Sequence, residues 1–125
     1  MQNYNSKSKI IPTIWLLILI FAVSVFIFRP ANNYTAGELD NFAQCLAERD
    51  FVMYGAYWCP HCQAEKKAFG SSWKYVSSVE CTSEPKRCTQ AGITSFPTWL
   101  GPDGIRLEGE QGVRRLSEVS GCTLD

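Results

Sequence analysis

The sequence has little of what a nucleic-acid-binding protein requires. Its 125 residues carry 12 basic and 12 acidic side chains, which gives a net charge of zero. No run of lysine and arginine forms a basic patch, and there are no internal repeats or low-complexity tracts. Acidic residues are absent before Glu38, so the rest of the chain is mildly acidic. We therefore expect no nucleic-acid partner.

Charged residues are also absent from residues 10–28, an apolar run of 19 residues. As a helix this run would measure about 28 Å, close to the hydrocarbon thickness of a bilayer. Lys7 and Lys9 precede the run, so the positive-inside rule places the N-terminus in the cytoplasm. The alternatives are a cleaved signal peptide, whose apolar core is usually about 7–15 residues, and a buried core helix, which the remaining domain is too small to cover.

The expected organisation therefore has four parts. They are a cytoplasmic tail at 1–9, a transmembrane anchor at 10–28, a linker at 29–35 and an α/β domain at 36–125. Apolar periodicity and turn residues predict the order α-β-α-β-α-β-β-α for the domain. The predicted elements are a helix with Thr35 as N-cap, a central strand at 51–56, a helix at 60–69, a strand at 75–81, a short helix at 83–91, a hairpin of 98–100 with 105–107, and a last helix ending near Gly121.

All six cysteines follow the apolar run, and this density suits an oxidising compartment. We expect the domain to be extracytoplasmic, in the periplasm or the thylakoid lumen. Cys81 and Cys88 enclose a short loop and are expected to form a structural disulfide worth about 2–3 kcal/mol, with a second redox pair as the alternative. Cys45 and Cys122 could pair with each other, bridge to a partner or stay buried as thiols. We leave them unassigned, because the first and last helices of the domain are expected on opposite faces of the sheet, which disfavours direct pairing.

The remaining two cysteines, Cys59 and Cys62, lie where the predicted central strand gives way to a helix. A helix N-terminus has unpaired N–H groups and partial positive charge, which stabilise a thiolate. The thiolate is the reactive form of cysteine, and Pro60 suits the first helical position. The pattern predicts a redox pair with Cys59 as nucleophile. No metal site is expected, since the six-residue gap between Cys81 and Cys88 exceeds usual zinc-ligand spacing.

This order of elements, with Cys-x-x-Cys at the first strand–helix junction and Phe96-Pro97-Thr98 before the hairpin, resembles the thioredoxin fold. The segment 54–62 (Tyr-Gly-Ala-Tyr-Trp-Cys-Pro-His-Cys), with Cys81, Cys88 and residues 91–93 and 96–99, is similar to one subgroup. Its members are the thioredoxin-like domains that accompany, or are fused to, vitamin K epoxide reductase-like membrane proteins. The resemblance implies a central four-stranded mixed sheet with flanking helices, preceded here by the predicted transmembrane helix.

The resemblance also implies roles for individual residues. A cis peptide bond is expected before Pro97, with Phe96 and Trp58 facing a substrate chain. Cys59 forms the mixed disulfide and Cys62 resolves it. Pro60 and His61 tune the Cys59 thiolate, and Pro-His between the cysteines resembles periplasmic oxidants. The family's buried acid six residues before the first cysteine is replaced by Met53.

The expected function is a membrane-anchored thiol–disulfide oxidoreductase that oxidises cysteines of exported proteins. It would pass electrons to a vitamin K epoxide reductase-like membrane partner and needs no dissolved cofactor, since the cysteine pair carries the two electrons. One alternative is an extracytoplasmic thiol reductase of the cytochrome c maturation type. Another is a non-catalytic interaction module whose disulfides are structural.

Overall fold

The structure, a computed structural model, describes residues 10–27 and 34–124. The chain divides into two units between residues 33 and 34. In the first unit, helix α1 (Ile10–Ile27) has 18 residues, and its described side chains, residues 14–23, are exposed. No helix in the described part of the chain is both long and apolar enough to cross a membrane. The anchor predicted at 10–28 is therefore not supported, and the predicted tail at 1–9 lies outside the described residues.

The second unit is built on a four-stranded mixed sheet in the order β2-β1-β3-β4. Its strands are β1 (Val52–Gly55), β2 (Ser77–Glu80), β3 (Thr98–Leu100) and β4 (Arg106–Glu108). Strand β1 pairs in parallel with β2 and antiparallel with β3, and β3 pairs antiparallel with β4 across a short turn. The prediction that the apolar strand 51–56 is central is confirmed, and so is the hairpin.

Four helices follow the predicted order around this sheet. They are α2 (Asp40–Glu48), α3 (Pro60–Phe69), α4 (Pro85–Gln90) and α5 (Gly112–Ser120), with a 3₁₀ helix at Gly70–Tyr75. Gly70 ends α3 and Gly121 ends α5, both with positive φ angles that glycine adopts without strain. Together the sheet and the helices form a thioredoxin-like α/β fold.

The start of α2 differs from the prediction, which made Thr35 the N-cap. The carboxylate of Glu38 does accept hydrogen bonds from the backbone N–H and the hydroxyl of Thr35, both at 2.7 Å. However, Gly37 has a φ of +84°, which interrupts a right-handed helix, so residues 36–39 form a turn. The helix begins at Asp40, and it buries Phe42, Ala43 and Leu46.

Helices α2, α3 and α5 pack on the same face of the sheet. Their buried side chains form one core cluster with Phe51, Met53 and Trp99, and Met53 lies opposite Trp99 in the sheet. Side chains alternate across a strand, so Tyr54 points to the other face, where it packs with Val79 and the α4 residue Cys88. The predicted placement of the first and last helices of the domain on opposite faces is therefore wrong.

This shared face allows a disulfide that the sequence did not predict. Cys45 of α2 and Cys122, two residues beyond the end of α5, are bonded with a Cα–Cα distance of 6.0 Å. Arg49 Nη1 donates a hydrogen bond of 2.7 Å to the carbonyl of Ser120 beside it. The bridge joins segments 77 residues apart in sequence. The predicted Cys81–Cys88 disulfide is also present and joins the end of β2 to α4.

Candidate active site

The two remaining cysteines begin helix α3, directly after the central strand. Cys59 is the N-cap residue with extended backbone angles, and Pro60 is the first helical residue. Both cysteines are free thiols. The Cys59 side chain reaches the surface only slightly, at 5% exposure, whereas Cys62 is fully buried. Cys59 is therefore the outer and Cys62 the inner member of the pair.

Cys62 is buried against the strand because Gly55 has no side chain. A Cβ atom at residue 55 would lie 2.8 Å from the Cys62 sulfur and 3.0 Å from Met53 Cε, so only glycine leaves room for both. Burial raises the pKa of the Cys62 thiol to about 11, against a weaker opposing effect from a backbone hydrogen bond with Ala56. The Cys62 thiol therefore stays protonated near neutral pH, with apolar Met53 rather than an acid beside it.

The loop before β3 lies against Cys59. The Phe96–Pro97 peptide bond is cis, as the resemblance implies. The Cys59 thiol donates a hydrogen bond of 3.6 Å to the Phe96 carbonyl oxygen. The Trp58 and Phe96 rings meet edge to face with centroids 6.1 Å apart, and Trp58 is 57% exposed. An exposed aromatic surface thus borders the sulfur of Cys59.

The turn between β1 and α3 is held by two side chains that the sequence analysis did not single out. Gln63 Nε2 donates to the Tyr57 carbonyl at 2.8 Å, and the Tyr57 N–H donates to Glu80 Oε1 at 3.1 Å. Gln63 belongs to α3 and Glu80 to β2, so the turn is fixed from both sides. Gln63 follows the motif directly, but nothing local in the sequence links Glu80 to it.

His61 makes a contact that the sequence did not predict. Its Nδ1 atom donates a hydrogen bond of 3.2 Å to Glu110 Oε2. His61 was expected to act on the Cys59 thiolate, and that role stays a prediction. His61 also lines an open groove of about 470 Å³ whose other walls are residues 109–112.

Glu65 is a buried acid that the sequence analysis also missed. Its carboxylate accepts hydrogen bonds from the backbone N–H groups of Gln111 (2.7 Å) and Gly112 (3.0 Å), at the start of α5. Burial raises the pKa of Glu65, and the two backbone donors only partly offset this effect. The spacing Cys62, Glu65, Phe69 places Glu65 on the buried stripe of α3, and this signal could have identified it.

The raised pKa of Glu65 predicts a pH effect on stability. Between pH 4.5, the ordinary value, and the higher native pKa, the unfolded chain loses the Glu65 proton while the native protein keeps it. The free energy of unfolding of the wild type, minus that of Glu65→Gln, should therefore fall as pH rises through this window and then stay constant. Urea denaturation of both proteins from pH 4 to pH 8 measures this difference. A difference that is constant or rises with pH would contradict the prediction.

Within the described residues, no group of three or more His, Cys, Asp or Glu side chains is arranged to hold a metal ion. Four of the six cysteines are bonded in pairs, which leaves Cys59 and Cys62 as the two thiols available for exchange. The site thus brings together Trp58, Cys59, Cys62, Phe96 and Pro97, as expected from the sequence.

No family model matches this sequence. The chain is similar to the thiol-disulfide oxidoreductase LTO1 of Arabidopsis thaliana, with 40% identity over a stretch that covers 58% of this chain and 22% of that protein. It is also similar to a protein disulfide-isomerase of Arthroderma benhamiae, with 31% identity over 54% of this chain and 15% of that protein. The chain thus spans less than a quarter of the length of either relative.

Among solved structures, the thioredoxin of Fasciola hepatica is similar to this chain. It is 16% identical, the similarity covers 66% of this chain and 91% of that one, and the TM-score is 0.45.

Proposed function

We propose that this chain is a thiol–disulfide oxidoreductase whose Cys59–Cys62 pair exchanges disulfides with cysteines of other proteins. The observation that supports this most directly is the position of Cys59. Its sulfur lies at the N-terminus of α3 and 3.6 Å from the Phe96 carbonyl of the cis-proline loop. The similarity to relatives named as an oxidoreductase and a disulfide isomerase is consistent with this chemistry.

In the oxidising direction the reaction has two exchange steps. A substrate thiolate attacks the Cys59 sulfur of the Cys59–Cys62 disulfide, which breaks the S–S bond and releases Cys62 as a thiolate. A second substrate thiolate then attacks the substrate sulfur of the mixed disulfide and releases Cys59. The substrate gains a disulfide, and the pair Cys59 and Cys62 retains two electrons and, after protonation, two protons.

The buried position of Cys62 gives these steps an order. Incoming sulfur can approach only at Cys59, because Cys62 is fully buried. Once released, Cys62 takes up a proton readily, since burial raises the pKa of its thiol to about 11. Cys62 must lose that proton again before it can attack a mixed disulfide, so reoxidation of the pair depends on deprotonation at this site.

The surface around Cys59 is suited to an extended polypeptide substrate. Trp58 and Tyr57 are 57% and 66% exposed, so they offer apolar contact area beside the sulfur. Aromatic side chains bind peptide segments through large apolar faces. We infer that Trp58, Phe96 and Pro97 contact the substrate, as the resemblance to thioredoxin-like proteins implies.

We further propose that the pair acts as an oxidant in an extracytoplasmic, oxidising compartment, the periplasm or the thylakoid lumen. The compartment is supported by two disulfides outside the redox motif, since such bonds persist where thiols are not kept reduced. The direction of electron flow is supported by Pro-His between the cysteines. As the acceptor of the electrons we propose a vitamin K epoxide reductase-like membrane protein, on the sequence resemblance of residues 54–62.

The reduction potential of the Cys59–Cys62 pair tests this proposal. The purified protein is equilibrated in glutathione buffers, and the fraction of free Cys59 and Cys62 is measured by alkylation. An oxidant should have a potential clearly above that of thioredoxin, about −270 mV. A value near that of thioredoxin would favour the reductase alternative. If the Cys59–Cys62 pair does not exchange with glutathione at all, the oxidoreductase proposal is refuted. The alternative of a non-catalytic interaction module would then be favoured.

A further inference from the structure

The segment 109–112 (Gly-Glu-Gln-Gly), here called the His61 loop, is attached to the redox site at three points. The Gly109 N–H donates to the Pro97 carbonyl at 2.7 Å, next to the cis peptide bond. The Gln111 and Gly112 N–H groups donate to the buried carboxylate of Glu65. The third attachment is the hydrogen bond from His61 Nδ1 to Glu110 Oε2.

The first two attachments fix the backbone of the His61 loop. Glu65 is fully buried on α3, one turn after Cys62, and it receives both of its backbone donors from this loop. Gln111 Nε2 also donates to the carbonyls of Glu108 and Gly109, which closes the loop on itself. The Glu110 carboxylate is therefore presented to His61 from a rigid support rather than from a free surface chain.

The third attachment engages the histidine of the redox motif. His61 lies two residues after Cys59, at the second position of α3. In this structure both cysteines are reduced, yet the His61 Nδ1 bond is made to Glu110, and the Cys59 thiol donates to the Phe96 carbonyl. The His61 Nδ1 atom is thus engaged by the His61 loop and not by Cys59.

We propose that Glu110 is a positioning residue for the redox pair, which holds the His61 imidazole on the His61 loop and away from the Cys59 thiolate. This inference rests on the proposed exchange function of Cys59 and Cys62. A hydrogen bond from His61 to the thiolate would stabilise the reduced form and make the pair more oxidising. By holding the imidazole, Glu110 keeps the pair less oxidising than its motif alone would make it.

Solvent exposure limits the effect of Glu110 on the redox equilibrium. The side chains of His61 and Glu110 are 70% and 45% exposed, so solvent screens the direct effect of the Glu110 charge on Cys59. When Glu110 is removed, the His61 imidazole loses its partner on the His61 loop and becomes free to hydrogen-bond to the Cys59 thiolate. We expect about a threefold change in the equilibrium constant with glutathione, or about 14 mV at 29.6 mV per tenfold change.

The test is a double-mutant cycle on that equilibrium constant. The reaction is the transfer of two electrons and two protons from two glutathione molecules to the Cys59–Cys62 disulfide, which yields two thiols and oxidised glutathione. Glu110→Ala should shift the constant about threefold towards the reduced pair. In a His61→Gln background the same substitution should have little effect, because no imidazole remains to be released. Glu118→Ala is the matched control, since Glu118 forms an exposed ion pair with Arg115 within α5.

The outcomes separate the two proposals. If the wild type equilibrates with glutathione but Glu110→Ala leaves the constant unchanged, or shifts it towards the oxidised pair, Glu110 does not restrain His61. Equal shifts with and without His61 would mean that Glu110 acts through its own charge, which also overturns the inference. Failure of the wild type to equilibrate would refute the exchange function itself.

Discussion

Cys62→Ser is expected to accumulate mixed disulfides through Cys59, whereas Cys59→Ser is expected to lose thiol exchange down to the uncatalysed background. The two cysteines differ because only Cys59 reaches the surface, while Cys62 is fully buried behind it. Without the Cys62 thiol, a mixed disulfide at Cys59 has no neighbouring thiol to resolve it. Without Cys59, an incoming thiolate finds no accessible sulfur in the motif.

This pair of variants is measured by two readouts. Oxidation of a reduced dithiol peptide gives the exchange rate of each purified protein. Non-reducing electrophoresis with mass spectrometry identifies partners captured by Cys62→Ser in native membranes. The double variant, Cys59→Ser with Cys62→Ser, is the matched control, since the two disulfides outside the motif are intact in it. Capture by the double variant, or exchange by Cys59→Ser at the wild-type rate, would show that the activity lies elsewhere.

Removal of the Cys45–Cys122 disulfide is expected to destabilise the protein more than removal of the Cys81–Cys88 disulfide. The bridge closes a loop of 77 residues, for which the chain-entropy treatment gives about 4.5 kcal/mol. The Cys81–Cys88 bridge closes a loop of only 7 residues and gives about 2.4 kcal/mol. The free energy of unfolding should therefore fall about twice as far for Cys45→Ala with Cys122→Ala as for Cys81→Ala with Cys88→Ala.

Urea denaturation of the three proteins in the absence of reductant measures these losses. The double variant at Cys81 and Cys88 serves a second purpose, because it distinguishes a structural bridge from a redox relay. A structural bridge leaves the rate of peptide oxidation by Cys59 unchanged under conditions where the protein is folded. Equal or reversed stability losses for the two pairs would contradict the loop-length argument.

Much of the fold was predictable because its signals are local. The run at Val52–Gly55 is apolar on both faces, and this pattern alone identifies a central strand. Pro60 after Cys59 predicts where α3 begins, and Gly101-Pro102-Asp103-Gly104 predicts the hairpin that joins β3 to β4. Each of these features depends on a few neighbouring residues, so one sequence is sufficient to identify it.

The features that the sequence did not predict correctly are mostly contacts between segments that lie far apart in the sequence. Apolar periodicity predicts the helix α2, but periodicity does not specify which face of the sheet a helix covers, so the Cys45–Cys122 bond was not predicted. Glu65 and Glu110 were also missed, because their partners lie 46 and 49 residues away in sequence. At the start of α2, Thr35 and Glu38 make the predicted capping contact. The positive φ of Gly37 nevertheless interrupts the helix, which begins at Asp40 instead.

The sequence by itself determined the order of elements, the central strand and the cysteine pair at a helix N-terminus. These depend on backbone preferences and apolar periodicity within one element. Only the tertiary structure decided that α2 and α5 share a face, that Gly55 makes room for Cys62, and that Glu65 and Glu110 hold the loop that binds His61. Such contacts depend on how the elements pack. The residues next to a side chain in the sequence do not indicate which residue it contacts across the core.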